Sequence, residues 1–305
     1  MRITANITSD NSLYNIQQGR AKLDKISELI SSGKNVNRPS DDPINTRLLL
    51  DIGDKVKTTD QYTSNISKAS TWQQIANTAL TAMSDTLQLA KQQIATISNG
   101  SSDATIRQNA VSQLKALKQQ MVDMGNTQMG DQYVFGGAMN TTAPFSGTAS
   151  GTPPTYYSGD ETALKVEIAN STTQQMNIPG NQLLTADTAV TQPYGTTNIL
   201  KAFDDLITAV NANNVPGIQA GSQAIEAGSK QINNAQSDVA SRVTRLDSMT
   251  KLNENNSNTL NNIYSNTQDV DYAKLAVELT QQQTAFNASL SATAKISQLS
   301  LLDYM

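Results

Sequence analysis

Residues 66–97 read ISKASTWQQIANTALTAMSDTLQLAKQQIATI. Ile66, Ala69, Gln73, Ala76, Leu80, Met83, Leu87, Ala90, Ile94 and Ile97 succeed one another at alternating intervals of three and four. That spacing returns every one of them to the same side of an α-helix, whereas a strand would scatter them over both faces. Sustained over many turns, it marks a coiled-coil seam, which needs a facing helix to cover it. The predicted helix extends back to Ile44 and on to Ser98. At a rise of ~1.5 Å per residue it spans about 80 Å, too long for a compact globule.

Working outward, Asn99-Gly100 turns the chain, and Ser102 or Asp103 caps a third helix with the seam Ile106, Ala110, Leu114, Leu117, Met121 and Met124. Upstream lies Arg38-Pro39-Ser40-Asp41-Asp42-Pro43, where two prolines break helix. Ser40, Asp41 or Asp42 can cap the long helix, with Pro43 tolerated in its first turn. Before it, a helix is expected from Asp10 to Ser32, with Ile16, Leu23, Ile26 and Ile30 on one narrow face and Gly33 as its stop.

Past Gly125 the texture changes to clustered Gly, Pro and Thr with short alternating runs, up to about Pro193. Tyr133-Val134-Phe135 and Leu164–Ile168 read as strands of a small β-rich insert. Helix returns near Thr197, with Ile199, Leu200, Phe203, Leu206, Ile207 and Val210 as its apolar face, and Pro216-Gly217 is expected to end it. A second long helix then runs to about Asn266. Ile232, Ala235, Val239, Leu246, Met249, Leu260 and Ile263 lie near its seam, with Asn253 and Asn256 inside it. Asp269 or Asp271 can cap a last helix with Leu275, Leu279, Phe286 and Leu290 on one face, drifting to Ile296, Leu299 and Leu302.

The expected fold is mainly α. Both chain ends form a long antiparallel coiled-coil rod around a small inserted β-rich domain. It has three parts: residues 1–43 with 267–305 as a terminal coiled coil, 44–129 with 194–266 as a helical rod, and 130–193 as the insert. Leu80, Met83, Leu87, Ile94, Leu114, Leu117, Met121, Val239, Leu246 and Met249 should line the rod seam. The amides Gln73, Asn253 and Asn256 either mark a loose seam or set its register. The terminal stripes are modest and rich in Ser, Gln and Ala. They are either ordinary bundle helices or segments that order only when neighbouring copies surround them.

Composition agrees with a thin architecture. Of 305 residues, 37% are hydrophobic and 5% aromatic, while Asn, Gln, Ser and Thr number 119. So lean a chain builds thin bundles more readily than one thick core, and gains by burying surface on assembly. Net charge is −4 with the basic residues scattered, which points away from nucleic acid and from a membrane surface. The chain holds no cysteine and no histidine, which excludes disulfides, thiolate chemistry and imidazole bases or ligands. With no phosphate loop or acidic metal cluster either, no catalytic, cofactor or metal residue is expected. Residues 1–10 lack an apolar core, so no cleaved secretory signal is expected.

Residues 10–43, including ISELISSGKNVN at 26–37 and the Asp41-Asp42 pair, resemble the amino-terminal signature of the flagellin superfamily. Leu87–Gly100 resembles the next stretch of that family. Residues 269–305, with Asp271-Tyr272-Ala273 and LTQQQ at 279–283, resemble its carboxyl-terminal helix. Three further segments are similar to the branch that joins hook to filament: GDQYVFGG at 130–137 with TTAPF at 141–145, YYSGD at 156–160, and AKISQLSLLDYM at 294–305. They single out Gly130, Tyr133, Phe135, Gly136, Gly137, Pro144 and Phe145, and set a bulk filament flagellin second. The resemblance implies a non-enzymatic structural subunit, outside the cell on the flagellum, exported unfolded by the flagellar type III system with a chaperone. It implies an inner layer built from the Ile16–Ile30 and Leu275–Leu302 faces. It also implies stacking on copies of itself, with hook-associated protein 1 on one side and flagellin on the other.

Overall fold

The computed structural model describes residues 2–97, 103–150, 155–186 and 193–302, with side chains of the terminal helices described from residue 10 to residue 295. In chain order the elements are α1 (Arg2–Ser32), α2 (Pro43–Ile97), α3 (Ala104–Gly125), β1 (Gln128–Met129), β2 (Gln132–Tyr133), β3 (Phe145–Ser150), β4 (Thr155–Tyr157), β5 (Lys165–Ala169) and β6 (Thr172–Gln175). A short 3-10 turn at Gly180–Gln182, then α4 (Ile199–Asn211), α5 (Val215–Gln268) and α6 (Tyr272–Leu302) complete them. The strands pair two by two, antiparallel, as β1–β2, β3–β4 and β5–β6. The protein is thus mainly helical with small sheets in an inserted region.

The chain divides into two compact units, the boundary falling inside α2 and α5. Unit 1 comprises residues 1–58 and 256–305. Here α1 and α6 run antiparallel: the α1 backbone at Gly19 faces Phe286 and Gln282, while Gly33 lies against Tyr272. Gly33 ends α1 with φ +69°, a left-handed conformation that costs glycine little. A backbone bridge from Lys34 to Asp269 and an Asn35 N–H donating to the Gln268 carbonyl at 2.6 Å tie the connectors together. Of the three candidate caps for α2, Asp42 serves. Its Oδ1 accepts from the N–H groups of Ile44 at 3.1 Å and Asn45 at 2.9 Å. Asp271 caps α6 in the same way, accepting from Ala273 and Lys274.

Unit 2 comprises residues 59–255. Within it α2 and α5 are antiparallel neighbours, with Gln236 donating to Thr81 and Ser84 to Asn233. All ten seam residues from Ile66 to Ile97 are at most 2% exposed. Trp72, Ala79 and Thr86, one position before the seam in successive heptads, are buried as well and widen it. Along α5 a strict seven-residue column, Ile218, Ile225, Ile232, Val239 and Leu246, is closed off from solvent. The apolar face of α4 is buried throughout, and α3, α4 and the insert share one core with α2 and α5.

Three local expectations are corrected. Helix α1 begins at Arg2, well before Asp10. Strand β2 stops at Tyr133, and Val134 and Phe135 enter a turn with both side chains buried, because the Gly136-Gly137 pair bends the chain at once. Pro216-Gly217 opens α5. Helix α4 has already ended at Asn211, Asn213 reverses the chain at φ +49°, and the Asn214 side chain accepts from the Gly217 N–H at 3.3 Å. Proline suits a first helical turn, whose N–H groups lack partners in any case.

Candidate assembly surfaces

The α1–α6 pair of unit 1 is only half closed. Ile26 and Leu275 are buried; Ile16, Leu23, Ile30, Leu279 and Phe286 are half-buried; Leu290 is exposed. The side chains of Ile296, Leu299 and Leu302 lie outside the described residues, as does Asp303-Tyr304-Met305. Large apolar side chains remain in solvent elsewhere in this unit: Ile44 is 81% exposed, Leu50 66%, Tyr14 60% and Val277 59%. A cleft of ≈ 170 Å³ opens between Val36–Pro39, the α2 side chains Thr46, Leu49 and Leu50, and Tyr264 and Gln268 of α5. The Asn37 amide nitrogen in this cleft is buried without a hydrogen-bond partner. Lys25 holds Asp41 at 2.7 Å and Glu28 at 3.6 Å, and Arg38 reaches Glu28 at 3.4 Å. The Lys25 ammonium bonded to Asp41 keeps that carboxyl below the usual carboxylate range.

In unit 2 the seam residues Leu80, Met83, Leu87, Leu114, Met121 and Val239 are fully buried, and Ile94 and Leu246 nearly so. Leu117 and Met249 are half-buried. The segment 130–145 folds back on α3. Gly130, at φ +62°, forms the two-residue turn between β1 and β2. Tyr133 is half-buried, while Phe135, Pro144 and Phe145 are buried. Asn126, just past α3, clamps Phe145 by donating to its carbonyl at 3.0 Å and accepting from its N–H at 2.9 Å. The Phe145 and Tyr157 rings meet at 5.1 Å and 51°. The Tyr157 hydroxyl lies 3.0 Å from the Phe135 carbonyl and 2.9 Å from that of Asp160, and accepts from the Gly180 N–H at 3.3 Å. Burial pushes this phenol up to about 12. Gly137 sits at φ +68° with the Asp160 carbonyl directly in the place a Cβ would need, so no other residue fits. Gly136 is almost as confined, against the Met139 carbonyl at 2.8 Å.

Two polar anchors escaped sequence reading. Lys118 donates to the Gly147 carbonyl at 2.6 Å and to both Asp204 oxygens at 2.6 and 2.7 Å. It also stands 5.0 Å from the Tyr156 ring centroid, and the Tyr156 hydroxyl donates to Asp204. Tyr194 donates to Asp238 at 2.6 Å. Arg242 binds the same carboxylate at 2.7 Å and the Asn177 carbonyl at 3.0 Å. Burial, helped by the adjacent carboxylates, raises the phenols of Tyr156 and Tyr194. One signal was present: Lys118 occupies the same helical face as Leu114 and Met121. Among the described residues no group of three or more acidic side chains could hold a metal, and no helix is long and apolar enough to cross a membrane.

The chain's resemblances run through both units. The bacterial flagellin N-terminal helical region matches residues 3–140, and the flagellin C-terminal helical region matches residues 222–305. Flagellar hook-associated protein 3 of Escherichia coli is 24% identical over 317 residues, covering 99% of this chain and 98% of the relative. Among solved structures, FlgL of Xanthomonas campestris superposes with a TM-score of 0.61 at 17% identity, over 70% of this chain and 99% of that one. The flagellar junction protein FlgL of Legionella pneumophila gives 0.56 at 15%, over 74% and 100%. Both terminal regions, and the helical fold that they build, place this chain in the flagellin superfamily.

Proposed function

We propose that this protein is a structural, non-enzymatic subunit of the bacterial flagellum, placed where the hook meets the filament. The observation that carries this reading is end-to-end similarity to proteins named hook-associated protein 3, with the insert motif at 130–145 included in the match. Unit 1 supplies the physical support. Its helix pair leaves apolar side chains in water that a free, finished surface would hide, as expected of a face completed by neighbours. Residues 1–43 with 267–305 would form the inner layer, 44–129 with 194–266 the middle, and 130–193 the outer part. Stacking along an axis is head-to-tail contact, so the subunit needs two different faces. One meets hook-associated protein 1 and the other meets flagellin, with copies of itself alongside. The unfolded chain would pass through the flagellar type III channel, handed over by an export chaperone, and act outside the cell.

Deleting the gene is expected to leave hooks intact and flagellin exported but lost to the medium. Removing residues 269–305 alone should do the same, and replacing 130–193 with a Gly-Ser linker should be milder. Electron microscopy together with an assay of flagellin in the culture fluid reads all three. Normal filaments on the full deletion would overturn the junction role. A bulk filament flagellin would instead dominate sheared flagella by mass, where a junction subunit is scarce.

A further inference from the structure

The buried amides of the α2–α5 seam bond to neither helix partner. Gln73 donates to the carbonyls of Gln175 at 3.3 Å and Met176 at 2.7 Å. Asn253 donates to the carbonyl of Ile168 at 3.2 Å, and the half-buried Asn65 to that of Glu167 at 2.9 Å. All four acceptors belong to the β5–β6 hairpin or the residue after it. The hairpin lies across the seam with alternate sides: Lys165, Glu167 and Thr173 face solvent, while Ile168 and Gln174 are buried. Beneath it is a second, small apolar cluster, Ile66, Ala69, Ile168 and Leu246, set beside the main core, with the half-buried Met176 packed against both.

The hairpin also closes on itself. Its strands pair with each other, and Asn177 seals the neck from within. The Asn177 side-chain carbonyl accepts from the Leu164 N–H at 2.8 Å, and its amide donates to the Thr162 carbonyl at 3.1 Å. Beyond Asn177, Ile178 already belongs to the main core. Lifting the hairpin would therefore break no strand pairing. It would exchange the side-chain amide bonds and the Tyr62–Glu167 contact for bonds to water and uncover one small cluster, taking from the main core only its contact with the half-buried Met176.

We propose that β5–β6 is a strap that opens as one body about Asn177 in the folded subunit, covering and uncovering an apolar stripe of Ile66, Ala69 and Leu246 on the helix pair. Cooperative segments with few buried contacts open below the energy of global unfolding. This one is bounded by a self-contained neck. The seam amides are the latch: amides in an otherwise apolar heptad column serve only the hairpin carbonyls.

Thiol labelling of the full chain tests this without relying on its place in the flagellum; backbone exchange would not, because the hairpin keeps its own strand pairing as it lifts. The chain has no cysteine, so Ile168→Cys, under the strap, and Leu114→Cys, in the core, each carry one thiol. The first should be labelled at least about tenfold faster than the second, and low urea should leave its rate unchanged, as for a local opening. Adding Gln73→Leu should raise the rate at 168 about tenfold further and leave that at 114 as before. Equal rates and equal urea dependence at the two positions would overturn the strap. So would labelling at 168 as fast as that of a free thiol, since nothing would then be latched.

Discussion

The two units are built from the same material and finished differently. Unit 2 sinks its heptad columns beneath a helix layer and an insert, and Leu80, Met83, Leu87, Leu114 and Val239 see no solvent. Unit 1 has stripes of similar spacing, yet of its described hydrophobic residues only Ile26, Val36, Leu49, Ile52 and Leu275 are buried. A helix pair alone can hide one seam; hiding a second side takes another layer. Unit 2 carries that layer in its own chain, and unit 1 does not. Stability should therefore be lodged in unit 2 and unfinished surface in unit 1.

The sharpest way to break that contrast is one charge placed in each unit. Leu87→Lys should destabilise unit 2 by about 4 kcal/mol or more, since a buried ammonium there finds no partner. Leu23→Lys, on the half-buried face of α1, should cost under about 1 kcal/mol, because the long side chain can reach water. Thermal melts of the two variants that lie close together would erase the distinction.

Next in size is Gly137→Ala. A left-handed backbone and a carbonyl in the way should together cost about 2–4 kcal/mol, read in a urea titration. A near-neutral result would mean that the 130–145 fold-back adds nothing to unit 2.

A smaller effect comes from alkali. The Tyr157 phenol titrates in the folded state at about 12, above its ordinary 10.0. The stabilisation that the neutral hydroxyl gives is complete below pH 10 and is lost as pH rises through 12. Tyr156 and Tyr194 shift in the same direction. Phenolate absorbance should thus show a late, cooperative step that coincides with loss of unit 2 tertiary structure. Tyr157→Phe should remove part of it.

The smallest effect belongs to unit 1. Asp41 is held down by Lys25, so its contribution is present above the ordinary carboxylate range and fades as pH falls through the lowered value. Lys25→Met should remove most of this acid-side dependence, leaving the smaller part that Arg38 supplies. The difference should vanish in about 1 M salt, because the pair is exposed.

The helices were legible because periodicity is a local signal repeated many times. From Ile66 to Ile97 every seam position could be named from spacing alone, and each is buried. What could not be read lay across the sequence. Gln73 and Asn253 looked like a loosened or register-setting seam, but their partners stand roughly a hundred residues away, in a hairpin whose own pattern gives no hint of its seat. Val134 and Phe135 have strand chemistry, and the Gly136-Gly137 turn overrides it. Lys118 has the chemistry of a surface residue, and it is Asp204, on another helix, together with the Gly147 carbonyl and the Tyr156 ring, that makes its burial tolerable.

Trp72 is the chain's single tryptophan, and at 1% exposure it stands deep in unit 2. Tryptophan fluorescence, excited at a wavelength where tyrosine does not absorb, is therefore a private channel to that unit, while far-ultraviolet dichroism, which sees every helix, sums over both. A truncation or substitution that ruins the half-closed ends can return an unchanged fluorescence melt, and a screen built on that signal alone would pass subunits unable to assemble. Reading both signals on one sample turns a single indole into a means of melting the two units separately.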